Sequence, residues 1–135
     1  MLETYRGTVY PYQLDHMGHM NVQWYVAKFD EGTWHFFSAL GITPDYIRDE
    51  DRGMAALEQV IRYKSEVMAG ELLVIDTEIL EMREKTVRFR HTMRRAGSGE
   101  TVAETDLVAA HLDRIERKAC PFPDHIRSAG EALIG

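Results

Sequence analysis

Residues 15–21, DHMGHMN, lead directly into residues 22–40, VQWYVAKFDEGTWHFFSAL, and these residues contain the longest helical pattern of the sequence. Asn21 is a residue type that often caps helices. The residues after it recur at the spacing of one buried helical face, namely Val22, Tyr25, Val26, Phe29, Thr33, Phe36, Phe37 and Leu40. Gly41, with Pro44 soon after it, is typical of a helix end. The pattern predicts an α-helix over residues 22–40, about 28 Å long at about 1.5 Å per residue. Lys28 falls on its polar side.

Outside this helix the apolar period is two. Residues 86–94 alternate, with Val87, Phe89, His91 and Met93 on one face and polar residues on the other. Further strands are predicted at 4–13, 54–65, 72–80 and 101–112, and a short helix is predicted after Pro121. Turn residues between the later strands favour hairpins. One amphipathic helix and a mostly antiparallel sheet must cover each other's apolar faces, so residues 1–135 predict a single α+β domain.

The composition limits the function classes. A net charge of −6 argues against a nucleic-acid-binding surface. Cys120 is the only cysteine, so no internal disulfide can form and a reducing compartment is expected. The first residues lack a signal-peptide pattern, and no apolar run approaches the roughly 20 residues that cross a bilayer. We therefore expect a soluble, cytoplasmic protein without a membrane or nucleic-acid partner.

The junction before the helix carries the candidate chemistry. A helix N-terminus presents unpaired N–H groups and a partial positive charge, which can hold a developing oxyanion. Asp15 is ionised at neutral pH and could act as a nucleophile or as a general base. Two other interpretations compete with this one. Asp15 could simply cap the turn, and Asp15, His16 and His19 could be metal ligands, although no second ligand pair accompanies them.

These residues resemble a known family. The D-x-x-G-H-x-N junction, Tyr25 four residues after Asn21, and residues 63–72, YKSEVMAGEL, are similar to the hotdog-fold thioesterases of the 4-hydroxybenzoyl-CoA thioesterase group. The resemblance implies a long central helix wrapped by a curved, mostly antiparallel five-stranded sheet. It also implies homodimers or homotetramers whose active sites, at the dimer interface, cleave acyl-CoA thioesters without a cofactor.

The resemblance assigns roles to individual residues. Asp15 is the expected catalytic carboxylate, and the backbone N–H of Val22 is the expected donor to the thioester carbonyl. His19 is expected to order the loop, and Asn21 to cap the helix and contact the substrate. The expected substrate-binding residues are Gly18, Trp24, Tyr25, Arg90 and Arg94, the two arginines through CoA phosphates. A solvated basic strand explains those arginines equally well, and Asp30 and Glu58 are alternative acids.

Three questions stay open at this level. Residues 17–25, MGHMNVQWY, resemble the branch that acts on betainyl-CoA in carnitine breakdown. An aromatic group of Tyr12, Trp24, Tyr25 and Trp34 could cage such a cationic acyl group, or could be core or dimer interface. The competing functions are an acyl-thioester hydratase or dehydratase, a non-catalytic acyl-binding protein, and an unrelated α+β binding fold.

Overall fold

A computed structural model describes residues 1–134 of the chain. The elements, in chain order, are β1 (Leu2–Thr8), a 3₁₀ turn (Pro11–Gln13), α1 (Val22–Leu40), α2 (Pro44–Glu50), β2 (Arg52–Tyr63), β3 (Leu72–Met82), β4 (Thr86–Arg95), β5 (Thr101–Asp113), β6 (Lys118–Ala119) and α3 (Asp124–Ala132). Among these residues no helix is both long and apolar enough to cross a membrane.

One antiparallel sheet holds all the strands, in the order β1-β3-β4-β5-β2, with β6 paired to the end of β5. The register shifts in every long pairing, between Glu3 and Tyr5, Ala56 and Glu58, Ile79 and Glu81, and Met93 and Arg94. Such bulges bend and twist strands, so the sheet curls and its concave face receives α1. The predicted hotdog architecture is confirmed.

Helix α1 begins and ends at the residues that the sequence predicts. The Asn21 Oδ1 accepts the Gln23 N–H at 3.0 Å, and Gly41 closes the helix with a φ of 96°, a backbone conformation that favours glycine. Its core residues fall into two clusters against the sheet. The first is centred on Phe36 and Phe89, and the second surrounds Phe29 at the N-terminal half.

The buried face of α1 differs from the prediction. Val22 is 57% exposed and Val26 is also exposed, whereas Lys28, predicted on the polar side, is only 4% exposed. The curled sheet explains both differences, because it wraps the helix on the β1 side and leaves the side towards β2 open. A symmetric helical pattern cannot anticipate this offset.

Three elements differ from their predictions. Residues 11–13 form a 3₁₀ turn rather than the end of a strand, as suits Pro11, which lacks an N–H for a strand ladder. Helix α2 was not predicted; Thr43 caps it through a hydrogen bond from the Tyr46 N–H at 3.2 Å. The two-residue strand β6 adds a sixth strand to the predicted five.

Candidate active site

The segment 13–21 forms a tight loop that ends where α1 begins. Leu14 and Met20 form an antiparallel bridge, and the Asn21 N–H donates to the Gln13 carbonyl at 2.8 Å. Residues 13–15 therefore run beside residues 19–21, with Gln13 beside Asn21 at the helix start and Asp15 beside His19. A hydrogen bond within the loop closes this turn: the Asp15 N–H donates to the His19 carbonyl at 2.8 Å.

The carboxylate of Asp15 is held by backbone N–H groups. Its Oδ1 accepts the Met17 N–H at 2.8 Å and the His19 N–H at 3.4 Å. The hydrogen bond from Met17 is the main reason that the pKa of Asp15 lies below its ordinary value, since donors to a carboxylate favour the charged form. The side chain is therefore an anion at neutral pH, and it is partly open to solvent.

The first turn of α1 offers an unused donor. Asn21 satisfies the Gln23 N–H through its side chain and the Trp24 N–H through its carbonyl, at 2.9 Å. Within residues 1–134 the Val22 N–H has no hydrogen-bond acceptor. It is thus a free backbone donor at the positive end of a 19-residue helix. A carbonyl oxygen that bound here would meet both the donor and the helix field.

The two histidines of the loop have different surroundings. His19 Nε2 lies 3.1 Å from Glu66 Oε2, which ties the loop to the segment between β2 and β3. His16 is exposed. In the described chain, no group of three or more histidine, cysteine or acidic side chains could hold a metal ion. His19 thus has the position of a residue that orders the Asp15 loop.

A cleft, here called the acyl cleft, opens along the exposed side of α1. Its volume is about 480 Å³, and strands β2, β4 and β5 form its other wall. Most of its lining is apolar, from Val26, Trp34, Phe37, Met54, Phe89 and Leu107 among others. Asp30 is the acidic residue in it, and Gln23, in the first turn of α1, marks the end nearest the junction. The cleft suits a small acyl group that extends from a carbonyl at the helix start.

The structure separates the four predicted aromatic residues. Tyr12 and Trp24 pack edge to face, with ring centroids 5.4 Å apart, on the β1 side of α1. Tyr25 is buried, donates from its hydroxyl to the Ser65 carbonyl at 3.2 Å and packs against Tyr63. Trp34 lies in the acyl cleft. These four rings therefore do not form one cage.

The remaining predicted residues fall into two places. Gly18 sits in the Asp15 loop with a φ of 82°, a conformation that favours glycine. Arg90 makes a two-bond ion pair with Asp106, at 2.6 and 3.0 Å. Arg94 binds Asp76 at 3.1 Å and Thr101 at 3.2 Å. The two arginines already have partners on the sheet, so their contact with a substrate stays a prediction.

Sequence reasoning named Asp30 as an alternative acid and Trp34 as part of an aromatic group, but it did not group them in one cleft with residues of β2, β4 and β5. The signal was present in the helix, because Val26 and Trp34 extend the apolar stripe beyond what one face against a sheet requires. On β2, residues 56–60 are all exposed, which a period of two does not predict. Only the curl of the sheet shows that these surfaces face a common space.

Comparisons with known proteins agree with this geometry. A model of the thioesterase-like superfamily matches residues 9–130. The betainyl-CoA thioesterase of Pseudomonas aeruginosa is 23% identical over 133 residues, which are 98% of this chain and 84% of that protein. An L-carnitine dehydrogenase/betainyl-CoA thioesterase of Rhizobium sp. is 28% identical over 120 residues, which are 89% of this chain but only 24% of that protein.

The fold is also similar to that of solved structures. A Staphylococcus aureus protein solved in complex with CoA superimposes with a TM-score of 0.91 at 17% sequence identity, covering 100% of this chain and 89% of that one. The superfamily match spans the Asp15 loop, α1 and every strand from β2 to β6. The chain is therefore a hotdog-fold thioester hydrolase and belongs to the thioesterase-like superfamily.

Proposed function

We propose that the protein hydrolyses a small acyl-CoA to a free acid and CoA, with Asp15 as the catalytic carboxylate. The observation that carries the proposal is the shared loop: its one arm holds an ionised carboxylate, and its other arm ends at the unpaired Val22 N–H. The two groups have complementary roles in acyl transfer, since one supplies electrons to the carbonyl carbon and the other stabilises negative charge on the oxygen.

Two chemical routes use the same groups. In the first, an Asp15 oxygen attacks the thioester carbon, the carbon–sulfur bond breaks, the CoA thiolate leaves, and water then hydrolyses the mixed anhydride. In the second, Asp15 takes a proton from a water molecule that attacks the carbon directly; the carbon–sulfur bond then breaks, and the CoA thiolate leaves. In both routes the oxyanion accepts the Val22 N–H. His19 and Asn21 have supporting roles, because they fix the loop and the helix start.

The acyl cleft supports a small acyl group with a positive charge. Asp30 is one helical turn before Trp34, so a carboxylate and an indole face share the apolar cleft. Aromatic faces attract quaternary ammonium ions, and a carboxylate supplies the counter-charge. Betainyl-CoA, the substrate named for the Pseudomonas aeruginosa relative, carries such a group. The cage in this proposal is the pair Asp30 and Trp34, not the four rings predicted from sequence.

We also propose a homodimer, which could double to a homotetramer. Strand β2 ends the sheet order, so its outer edge is unpaired within the described chain. That edge displays Leu57, Val60 and Tyr63, all exposed. Long apolar edge strands tend to pair with another chain, and pairing two β2 edges would also bring a second subunit against the open acyl cleft. The single-domain organisation of residues 1–135 and a cytoplasmic location, which the lone Cys120 favours, stay predictions.

Release of free thiol from a panel of betainyl-, butyryl- and benzoyl-CoA tests the proposal. We expect turnover of at least one substrate, with the highest kcat/KM for betainyl-CoA. Asp15→Asn should lower kcat by at least about 100-fold, because it removes the anion that both routes need. The matched control is Asp49→Asn, an exposed acid on α2, which should retain full activity.

Each of the other outcomes would contradict one part of the proposed function. Activity of Asp15→Asn within a few-fold of wild type would refute the catalytic role of this carboxylate. Betainyl-CoA as the poorest substrate would refute the cationic acyl group. Acyl-CoA binding without thiol release would favour a binding protein. Addition of water to an α,β-unsaturated acyl-CoA without thiol release would favour a hydratase.

A further inference from the structure

A second pocket lies between β1 and α1, on the side of the helix away from the acyl cleft. Its volume is about 580 Å³, and Ala27 lines both this pocket and the acyl cleft. Its walls combine the buried amine of Lys28 with aromatic rings. The rings of Tyr10 and Tyr12 are exposed, and those of Tyr5 and Trp24 are half-buried. The mechanism proposed above uses none of these side chains. We call it the β1 pocket.

The amine of Lys28 has donor capacity to spare. It is 4% exposed, and its Nζ donates to the Tyr5 hydroxyl at 2.9 Å and to the Thr8 carbonyl at 3.4 Å. A protonated amine has three hydrogens, so a third has no acceptor within the described residues. No carboxylate of the described chain forms an ion pair with Lys28. Burial lowers the pKa of Lys28, and the charge of the nearby Glu31 offsets this only in part. A buried ammonium is costly, and a bound anion would reduce that cost.

Tyr5 adds a second free donor. Its hydroxyl accepts the bond from Lys28, so its own hydrogen has no acceptor within residues 1–134. Burial raises the pKa of Tyr5 to about 12, so the phenol stays protonated and cannot be the counter-ion of Lys28. The two groups together present an ammonium hydrogen and a hydroxyl hydrogen, which is a donor pair suited to phosphate oxygens.

Three rings form an aromatic platform beside these donors. Tyr10 and Tyr12 are stacked at 5.9 Å with an angle of 6° between their planes, and Trp24 meets Tyr12 edge to face. Tyr10 is 52% exposed and Tyr12 is 69% exposed. Rings that pack on one another but stay open to solvent offer a face on which a planar base can stack.

Arg6 and Lys28 are the basic residues of the pocket, and Glu31 is the acidic one. The basic group of the pocket that has no carboxylate bonded to it within the described residues is Lys28, because Arg6 is already paired with Glu3 at 2.8 Å. The pocket is also joined rigidly to the catalytic loop through Gln13. The Gln13 side chain accepts the Tyr10 N–H at 3.1 Å, and its carbonyl accepts the Asn21 N–H at 2.8 Å. A ligand on the platform is thereby held in a fixed position relative to the start of α1.

We propose that the β1 pocket binds the adenosine 3′,5′-bisphosphate end of CoA, with the adenine on Tyr12 and a phosphate on Lys28 and Tyr5. This proposal rests on the proposed function, since it gives the nucleotide of the same substrate its place. It differs from the sequence-based expectation, which assigned CoA phosphates to Arg90 and Arg94, because those two arginines already bind carboxylates.

Calorimetric titration with adenosine 3′,5′-bisphosphate, which contains no thioester, tests the pocket without requiring catalysis. We expect Tyr12→Leu to weaken binding about five- to tenfold through lost stacking, and Lys28→Met to weaken it at least about tenfold. Tyr12 is exposed, so its variant should fold normally even if Lys28→Met is unstable. The matched controls, Lys85→Met on an exposed turn and Trp34→Leu in the acyl cleft, should bind the bisphosphate as the wild type does.

A kinetic comparison separates this inference from the proposed function. The pocket variants should raise KM for a CoA thioester but leave kcat/KM unchanged for the N-acetylcysteamine thioester of the same acid, which has no nucleotide. Unchanged bisphosphate affinity in both variants, beside normal thioester hydrolysis, would overturn the pocket and leave the thioesterase standing. Affinity for adenosine equal to that for the bisphosphate would overturn the anion site. Bisphosphate binding that these variants weaken, in a protein that hydrolyses no thioester, would overturn the proposed function alone.

Discussion

Two polar regions touch the same helix, and they use their hydrogen bonds in opposite ways. At the N-terminus of α1, Asp15 is partly exposed and the Val22 N–H is unpaired within the described chain. At the middle of α1, His91 is 0% exposed and both its ring nitrogens are bonded, to Thr33 at 2.8 Å and to Thr77 at 2.6 Å. The first region keeps free capacity for a substrate, and the second has none left.

The bonds around His91 also fix its tautomer. The Thr33 hydroxyl donates to the Phe29 carbonyl at 3.1 Å, so it must accept a hydrogen from His91 Nε2. His91 Nδ1 is then the acceptor of the Thr77 hydroxyl. A buried imidazole with one fixed tautomer joins strands β3 and β4 to the helix. A histidine packed against a helix is structural when both of its ring nitrogens have hydrogen-bond partners inside the core.

Removing the buried histidine should have the largest effect on stability. His91→Leu takes a partner from Thr33 and from Thr77, and each buried hydroxyl that loses a partner costs about 1–3 kcal/mol. We expect the free energy of unfolding, measured by urea denaturation, to fall by about 3 kcal/mol. Thiol release at a permissive temperature should stay within twofold of wild type, which is the reverse of the effect expected for Asp15→Asn.

The control for that variant is His35→Leu, an exposed histidine on the same helix. It should change the free energy of unfolding by no more than about 0.5 kcal/mol. A large loss of kcat in folded His91→Leu would show that the buried network takes part in catalysis and would end the distinction between the two regions.

Because His91 is buried, its protonation should make the free energy of unfolding depend on pH. Burial lowers the pKa of His91 to about 3, whereas in the unfolded chain it is about 6.5. Between these values the unfolded chain binds the extra proton, so stability is full above about pH 6.5 and falls as the pH falls towards 3. We expect His91 to contribute a slope of about 1.4 kcal/mol per pH unit.

Urea denaturation between pH 4.5 and 6 measures this slope. In His91→Leu the slope of the free energy of unfolding against pH should be smaller than in the wild type by about 1.4 kcal/mol per pH unit. A slope from His111 will persist in both proteins, because burial lowers the pKa of that histidine too. Equal slopes in the two proteins would mean that His91 is protonated in the folded state. Asp15 should add almost nothing to the slope in this pH range, since its pKa lies below the ordinary carboxyl value.

The sequence predicted these two regions to different extents for a physical reason. The Asp15 loop, the Asn21 cap and the face of β4 that carries His91 depend on residues close in the chain, and all three elements were predicted. Thr77 was not predicted as a partner of His91, because Thr77 reaches His91 through the pairing of β3 with β4 and is itself bonded to Thr4 on β1. Short local signals specify an element, but only the register of β1, β3 and β4 specifies its polar partners.

The curl of the sheet explains the other differences. The curl buries Lys28 against β1 and exposes Val26 to the acyl cleft. It depends on four bulges, which cannot be predicted from the sequence of any single strand. The free donors of the β1 pocket follow from the same curl, because β1 reaches over the helix to place Tyr5 on Lys28. The sequence therefore predicted the residues of the loop as a group. For the two pockets it named single residues, such as Asp30, Trp34 and Tyr12, but not which of them lie together.

The smallest expected effect concerns the helix start itself. Asn21→Ala removes the side-chain acceptor of the Gln23 N–H, and the loss of such a cap costs about 1 kcal/mol. Asn21→Ser keeps an acceptor oxygen and should restore most of that stability. If the cap also keeps the Val22 N–H aimed at the substrate, Asn21→Ala should lower kcat several-fold with little change in KM, and Asn21→Ser should recover it. Loss of activity in both variants, with stability restored only in Asn21→Ser, would instead indicate that the amide group contacts the substrate directly, since a hydroxyl can replace the cap but not a wider amide contact.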